Sequence, residues 1–143
     1  MTGMDQEAVR RFAAFRADPV KLVREQFGVE PDPWQAEALR NYPKSPRLVM
    51  KACKGPGKSA VLSWIGWHFL LTRPHAIGGC TSVNADNLKT GLWTEFARWR
   101  EKSPLLTAMF EQTKTTIFAR EYPQTWKLEA RSWARDEIGR AHV

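Results

Sequence analysis

The stretch 51-KACKGPGKSA-60 decides how the rest of this chain is read. It ends in Gly57-Lys58-Ser59, the close of the phosphate-loop pattern G-x-x-x-x-G-K-[ST], but Ala52 stands where the pattern opens on glycine. The apolar run 47-RLVMKAC-53 leads into it and suits a buried strand. Residues 58-KSAVLSWIGWHFLLT-72 lead out of it, apolar nearly all round as a helix packed against a sheet is, and Pro74 stops them. Strand, loop and helix in that order are what a phosphate loop requires. Backbone N–H groups of residues 54–59 would converge on a phosphate, and the helix N-terminus would add its partial positive charge. Lys58 would reach the outer phosphates of a nucleotide and the Ser59 hydroxyl would ligate Mg²⁺. Gly55 and Gly57 allow the backbone to come close, and Pro56 and Ala60 complete the segment. Ala52 falls at the strand end, where a small residue suffices.

Upstream, 31-PDPWQAEALR-40 has Asp32 as helix cap, Pro33 in the first turn and Trp34-Gln35 directly after it. The Gln35 amide carries both a donor and an acceptor, which suits the edge of an adenine base, and the Trp34 ring could stack on that base. A capped first turn accounts for the same residues without any ligand, and the sequence leaves both readings open. Asp18-Pro19 repeats the capping device, with Val20, Val23 and Phe27 on one face and Gly28 as the stop. Before it, 5-DQEAVRRFAAFRADP-19 reads as an amphipathic helix carrying Val9, Phe12 and Phe15 at helical spacing.

Downstream, 75-HAIGGCTS-82 reads as a second strand, and a helix is expected over about 84–102 with Leu88, Leu92, Phe96 and Trp99 as its stripe. Ser103-Pro104 opens a short helix over 104-PLLTAMFE-111. Then 114-KTTIFARE-121 and 125-TWKLEAR-131 read as strands, the second with Trp126, Leu128 and Ala130 on one face. The order implies an α/β fold with a mostly parallel sheet. Trp64, Trp67, Phe69 and His68 are expected to pack in the core, and His75 to start a strand. No Ser/His/Asp set, carboxylate pair or metal-ligand cluster competes with the loop, and there is no internal repeat.

The 143 residues amount to about one domain, 43% hydrophobic and with seven tryptophans. Net charge is +7, a balance that favours polyanionic partners such as nucleic acid, yet the basic residues form no run and read equally as a solvated surface. Two cysteines, Cys53 and Cys80, show no metal spacing and fit a reducing compartment. No apolar run approaches the ~20 residues of a membrane span, so no membrane partner is expected.

Taken in order, "DPWQ", the first strand, "KACKGPGKS", "WIGWHFLLTRP", a strand ending in "TS" and "NLKTGLWTEFARWREKSPLL" resemble the N-terminal ATPase part of viral terminase large subunits. Those proteins are the motors that drive double-stranded DNA into phage procapsids. The resemblance covers about residues 20–136. It implies a P-loop NTPase fold of the ASCE type, ATP with Mg²⁺, dsDNA as substrate and a homo-oligomeric ring. It further implies the small terminase subunit, portal and procapsid as partners, in the host cytoplasm. By the same resemblance Gln35 contacts adenine, and Lys54, the basic residue inside the loop, touches the γ-phosphate and shares the catalytic role with Lys58. The family also uses an apolar strand ending in Asp-Glu (Walker B) to hold Mg²⁺ and activate water. "TTIFARE" is the nearest approach here and lacks the pair, so the chain is expected to stop before that strand and to hydrolyse ATP negligibly by itself. The expected organisation is N-terminal helices with the adenine-side motif over 1–45 and a strand–loop–helix core over 46–136. The stretch 137-EIGRAHV-143 reads like a translated sequencing adapter and is expected to be non-native. A helicase-like P-loop DNA translocase, or a non-catalytic module that binds nucleotide or DNA, are the alternatives.

Overall fold

The computed structural model describes residues 3–42, 57–81 and 91–131. The expected strand at 47–52, the loop residues Lys54, Gly55 and Pro56, Leu88 and the stretch 137–143 lie outside the described residues.

Helix α1 (Gly3–Ala17) buries Phe15 but leaves Val9 68% exposed, so Val9 is not on its packing face. The chain turns at Asp18, whose Oδ1 accepts the Val20 N–H at 3.1 Å. Helix α2 (Pro19–Leu22) runs on into one π-helical turn, Val23–Phe27, and Gly28 closes it at φ 68°, in the left-handed region that glycine adopts without a Cβ penalty. Val20, Val23 and Phe27 are all buried. Helix α3 (Pro33–Asn41) starts at Asp32 and α4 (Lys58–Thr72) at Gly57. Helix α5 (Trp93–Lys102) buries Phe96 and Trp99. Helix α6 (Pro104–Met109) is capped by Ser103 Oγ, which accepts from the Leu106 N–H at 3.1 Å and donates to Gln26 Oε1 at 2.6 Å.

Among the described residues four strands form one sheet: β1 (Ile77–Thr81), β2 (Phe110–Gln112), β3 (Thr116–Ala119) and β4 (Lys127–Arg131), in the order β1-β4-β3-β2. Strand β1 runs parallel to β4, with Ile77 opposite Lys127 and Thr81 opposite Arg131. The β3–β4 and β2–β3 pairs are antiparallel. The chain is thus mixed α/β, but among the described strands the expectation of a mostly parallel sheet is wrong. The cause is connection length. Residues 120–126 join β3 to β4 and 113–115 join β2 to β3, whereas a parallel crossover takes about a dozen residues or more. Phe110 and Glu111, expected at the end of a helix, belong to β2 instead.

Helix α4 holds the centre. Trp67 is fully buried, its ring edge-on to Phe96 and Phe110 with centroids 5.7 Å away in each case, and its Nε1 donates to the Phe96 carbonyl at 3.1 Å. Trp126 Nε1 donates to the Leu70 carbonyl at 2.9 Å, tying β4 to the helix. A Cβ on Gly66 would sit 2.5 Å from the Phe96 ring, so only glycine lets α5 approach this closely. Trp64, Trp67 and His68 are buried, as expected for core. The short turn at 73–76 sends β1 back antiparallel to α4. The carboxyl ends of the parallel pair, at Thr81 and Arg131, therefore lie toward the end of the molecule where α4 begins.

Candidate phosphate-binding site

The site is built around the first turn of α4. Gly57 is its cap, at φ 82° and ψ −7°, and its carbonyl accepts the Val61 N–H at 3.1 Å, the first bond of the helix. The N–H groups of Lys58, Ser59 and Ala60 precede that bond and have no acceptor within an α-helix. Together they make a donor set with the positive end of a 15-residue helix behind it. Lys58 is exposed at this end, and Ser59 and Ala60 are half-buried.

Helix α3 brings a second element to the same place. Gln35 occupies its first turn, and its Oε1 accepts the Asp32 N–H at 2.9 Å, one arm of a capping box. Its Nε2 donates to the Gly57 carbonyl at 3.1 Å across 22 positions of sequence. Gln35 is buried, at 6% exposure, whereas its neighbour Trp34 is 45% exposed. A Cβ on Gly57 would meet Gln35 Nε2 at 2.6 Å and the Trp34 ring at 3.2 Å. Position 57 therefore needs glycine twice over, for its backbone angle and for the space.

A third element arrives from beyond β1. A Cβ on Gly91, just before α5, would lie 3.8 Å from Ser59 Oγ, so the serine hydroxyl faces the start of the α5 segment. Nothing in the sequence pattern around Gly91 singles it out, because the approach is set by tertiary packing.

Of the residues selected from sequence, the structure brings together Trp34, Gln35, Gly57, Lys58, Ser59 and Ala60. Lys54, Gly55 and Pro56 lie outside the described residues. The described geometry fits a polyphosphate: a tight glycine turn, helix N–H groups that meet no acceptor among the described residues, and an exposed lysine. For Mg²⁺ the described part of the site offers the Ser59 hydroxyl, and no group of three or more His, Cys, Asp or Glu capable of holding a metal occurs among the described residues. A cation here would be held by Ser59 together with the phosphate oxygens.

The opposite end of α4 carries a buried polar chain that the sequence did not announce. His68 is fully buried, with Nε2 facing the Phe15 carbonyl at 2.8 Å and Nδ1 against the Tyr42 hydroxyl. A carbonyl can only accept, so Nε2 carries the proton and Nδ1 accepts from Tyr42. Arg73 donates to the same tyrosine oxygen at 2.9 Å. Burial first, and then the nearby Arg73 charge, lower the His68 pKa to about 4. Burial likewise raises that of Tyr42. His75 does not start a strand. It sits in the preceding turn at φ 62°, its ring against Tyr122. Cys80 is a free thiol whose pKa burial pushes up to about 12, which leaves it unreactive.

No protein-family model, curated protein or solved structure matches this chain. No helix among the described residues is long and apolar enough to cross a membrane.

Proposed function

We propose that the α4 N-terminus binds the phosphates of a nucleoside triphosphate, and that the chain is the nucleotide-binding part of a terminase-type DNA-packaging ATPase. The observation that carries the reading is the hydrogen bond from Gln35 to Gly57. It joins the two motifs singled out in the sequence, "DPWQ" and "GKS", into one surface. The placement of that surface supports the reading too, because α/β sheets bind ligands beyond the carboxyl ends of their parallel strands. On this reading ATP arrives with Mg²⁺, Lys58 and Lys54 neutralise the phosphates, and Ser59 touches the cation. The substrate is dsDNA. The working form is a homo-oligomeric ring on a portal and procapsid with the small terminase subunit, in the host cytoplasm.

A second reading is a module that binds nucleotide without turning it over, in keeping with the described strands, none of which ends in an Asp-Glu pair. Both readings predict binding by this chain, and neither predicts turnover by it. Calorimetric titration with Mg-ATP should give saturable binding that Lys58→Ala weakens at least tenfold, since the exposed ammonium at the helix end is lost. ATP binding that is unchanged in Lys58→Ala would sink both. Phosphate release by the 143-residue chain should sit near the uncatalysed background, because water-positioning groups are worth ~10²–10⁴ in rate.

A further inference from the structure

We infer that the site holds a nucleotide by its phosphates and is nearly blind to the base, because Gln35 is a positioning residue for the Gly57 turn and Trp34 is the surface a base would meet. This rests on the nucleotide reading above and replaces the adenine contact that the resemblance implied for Gln35.

A glutamine reads a base edge by offering it one donor and one acceptor. Here one N–H and one oxygen lone pair are committed to backbone, and burial withholds the other two from a ligand. Oε1 takes the Asp32 N–H and Nε2 gives to the Gly57 carbonyl. The amide orientation is fixed by its partners, since a flipped amide would set N–H against N–H and oxygen against oxygen. Freeing the buried side chain would also strand the Asp32 N–H. The Gly57 oxygen receives two donors, Gln35 Nε2 and the Val61 N–H. That pair holds the peptide after Gly57 in the orientation from which the following N–H groups leave the helix end. Gln35 therefore acts on phosphate through the loop rather than on the base.

Trp34 lies beside the same glycine with nearly half its surface exposed. An indole face stacks on any base, because every base has a π-face, and stacking is tolerant of base identity.

The test is calorimetric titration of the 143-residue chain with inorganic tripolyphosphate, ATP, GTP and CTP, each with Mg²⁺, well below the melting midpoint so that lost stability alone does not move the affinity. Wild type should bind the three nucleotides within about fivefold of one another. Gln35→Met is neutral and of similar size, and should weaken tripolyphosphate and ATP alike, by about tenfold, a hydrogen bond's worth. Trp34→Ala should weaken all three nucleotides by about tenfold or more and leave tripolyphosphate unchanged. A Gln35→Met loss confined to ATP, or a wild-type preference for ATP beyond about thirtyfold, overturns the inference while the nucleotide site stands. Trp34→Ala with unchanged nucleotide binding overturns it as well. If Gln35→Met does not fold by circular dichroism, the wild-type ratios and Trp34→Ala decide alone. No binding of either tripolyphosphate or nucleotide by wild type removes the functional reading, and this one with it.

Discussion

The two ends of α4 solve the same problem in opposite ways. Every helix leaves unpaired N–H groups at its start and unpaired carbonyls at its finish. At the finish, an end carbonyl is satisfied from within the fold, since Trp126 Nε1 donates to the Leu70 carbonyl at 2.9 Å, and the Arg73–Tyr42–His68–Phe15 chain fills the polar space beside it. At the start, Gln35 Nε2 donates to the Gly57 carbonyl, which already accepts the Val61 N–H, and among the described residues no acceptor meets the N–H groups that follow. The finish is built to be stable without a ligand. The start is left short of acceptors, which is what a site for an anion requires.

That contrast can be broken first at the closed half. Trp67→Ala removes a fully buried indole that packs on Phe96 and Phe110 and donates to a backbone carbonyl. It should cost about 3–5 kcal/mol, measured by urea unfolding, and a loss under ~1 kcal/mol would mean α4 is not the centre of the core.

The next largest effect is the acid dependence of the same half. Folded His68 has a pKa of about 4 against a reference of 6.5, so the unfolded chain binds this proton more tightly between those values. Its contribution is whole above pH 6.5 and is lost as the pH falls toward 4, by about 3 kcal/mol across the window. Urea midpoints at pH 7 and pH 4.5 should show the drop. A variant with His68→Gln should be less stable at pH 7 but should lack this component of the pH dependence. An identical pH slope in both would assign the acid sensitivity to other groups.

The smallest effect should come from the open end. Gly57→Ala puts a Cβ 2.6 Å from Gln35 Nε2 at a positive φ, which should cost about 1–3 kcal/mol. Because the damage falls on the Gln35 contact, triphosphate affinity should fall with it, and stability lost with affinity intact would separate the cap from the site.

Much of this contrast was open to sequence reading. The Asp18-Pro19, Asp32-Pro33 and Ser103-Pro104 starts were legible because capping is local chemistry, written in adjacent residues. The span of α4 was legible because fifteen mostly apolar residues, with Gly57 before them and Pro74 shortly after, leave few alternatives. Strand β2 was not, since three residues adopt a strand only because β3 lies beside them. Strand direction was missed although a signal was present: the short links at 113–115 and 120–126 force reversals. At the site, the proximity of Gln35 to Gly57 followed from motif order, but the job of its amide did not. That job depends on a carbonyl, and every residue has one. The His68 chain was invisible for the same reason, because its members come from α1, the residue after α3, α4 and the turn after it, with no common spacing.

The parallel β1–β4 pair has a bearing on how the molecule is assembled in time. Ile77 meets Lys127 only after all of α5, α6, β2 and β3 have been threaded between them. The β2–β3–β4 meander closes through short links and can form early, whereas β1 must wait for a long loop to close, a step that pays chain entropy before any pairing returns it. Docking β1 also seats the turn from α4, and Lys127 N–H bonds to the Ala76 carbonyl at 2.9 Å just there. The last contacts to form on refolding are therefore those between β1 and β4, which seat the turn that follows α4 and complete the sheet as a product of the whole topology.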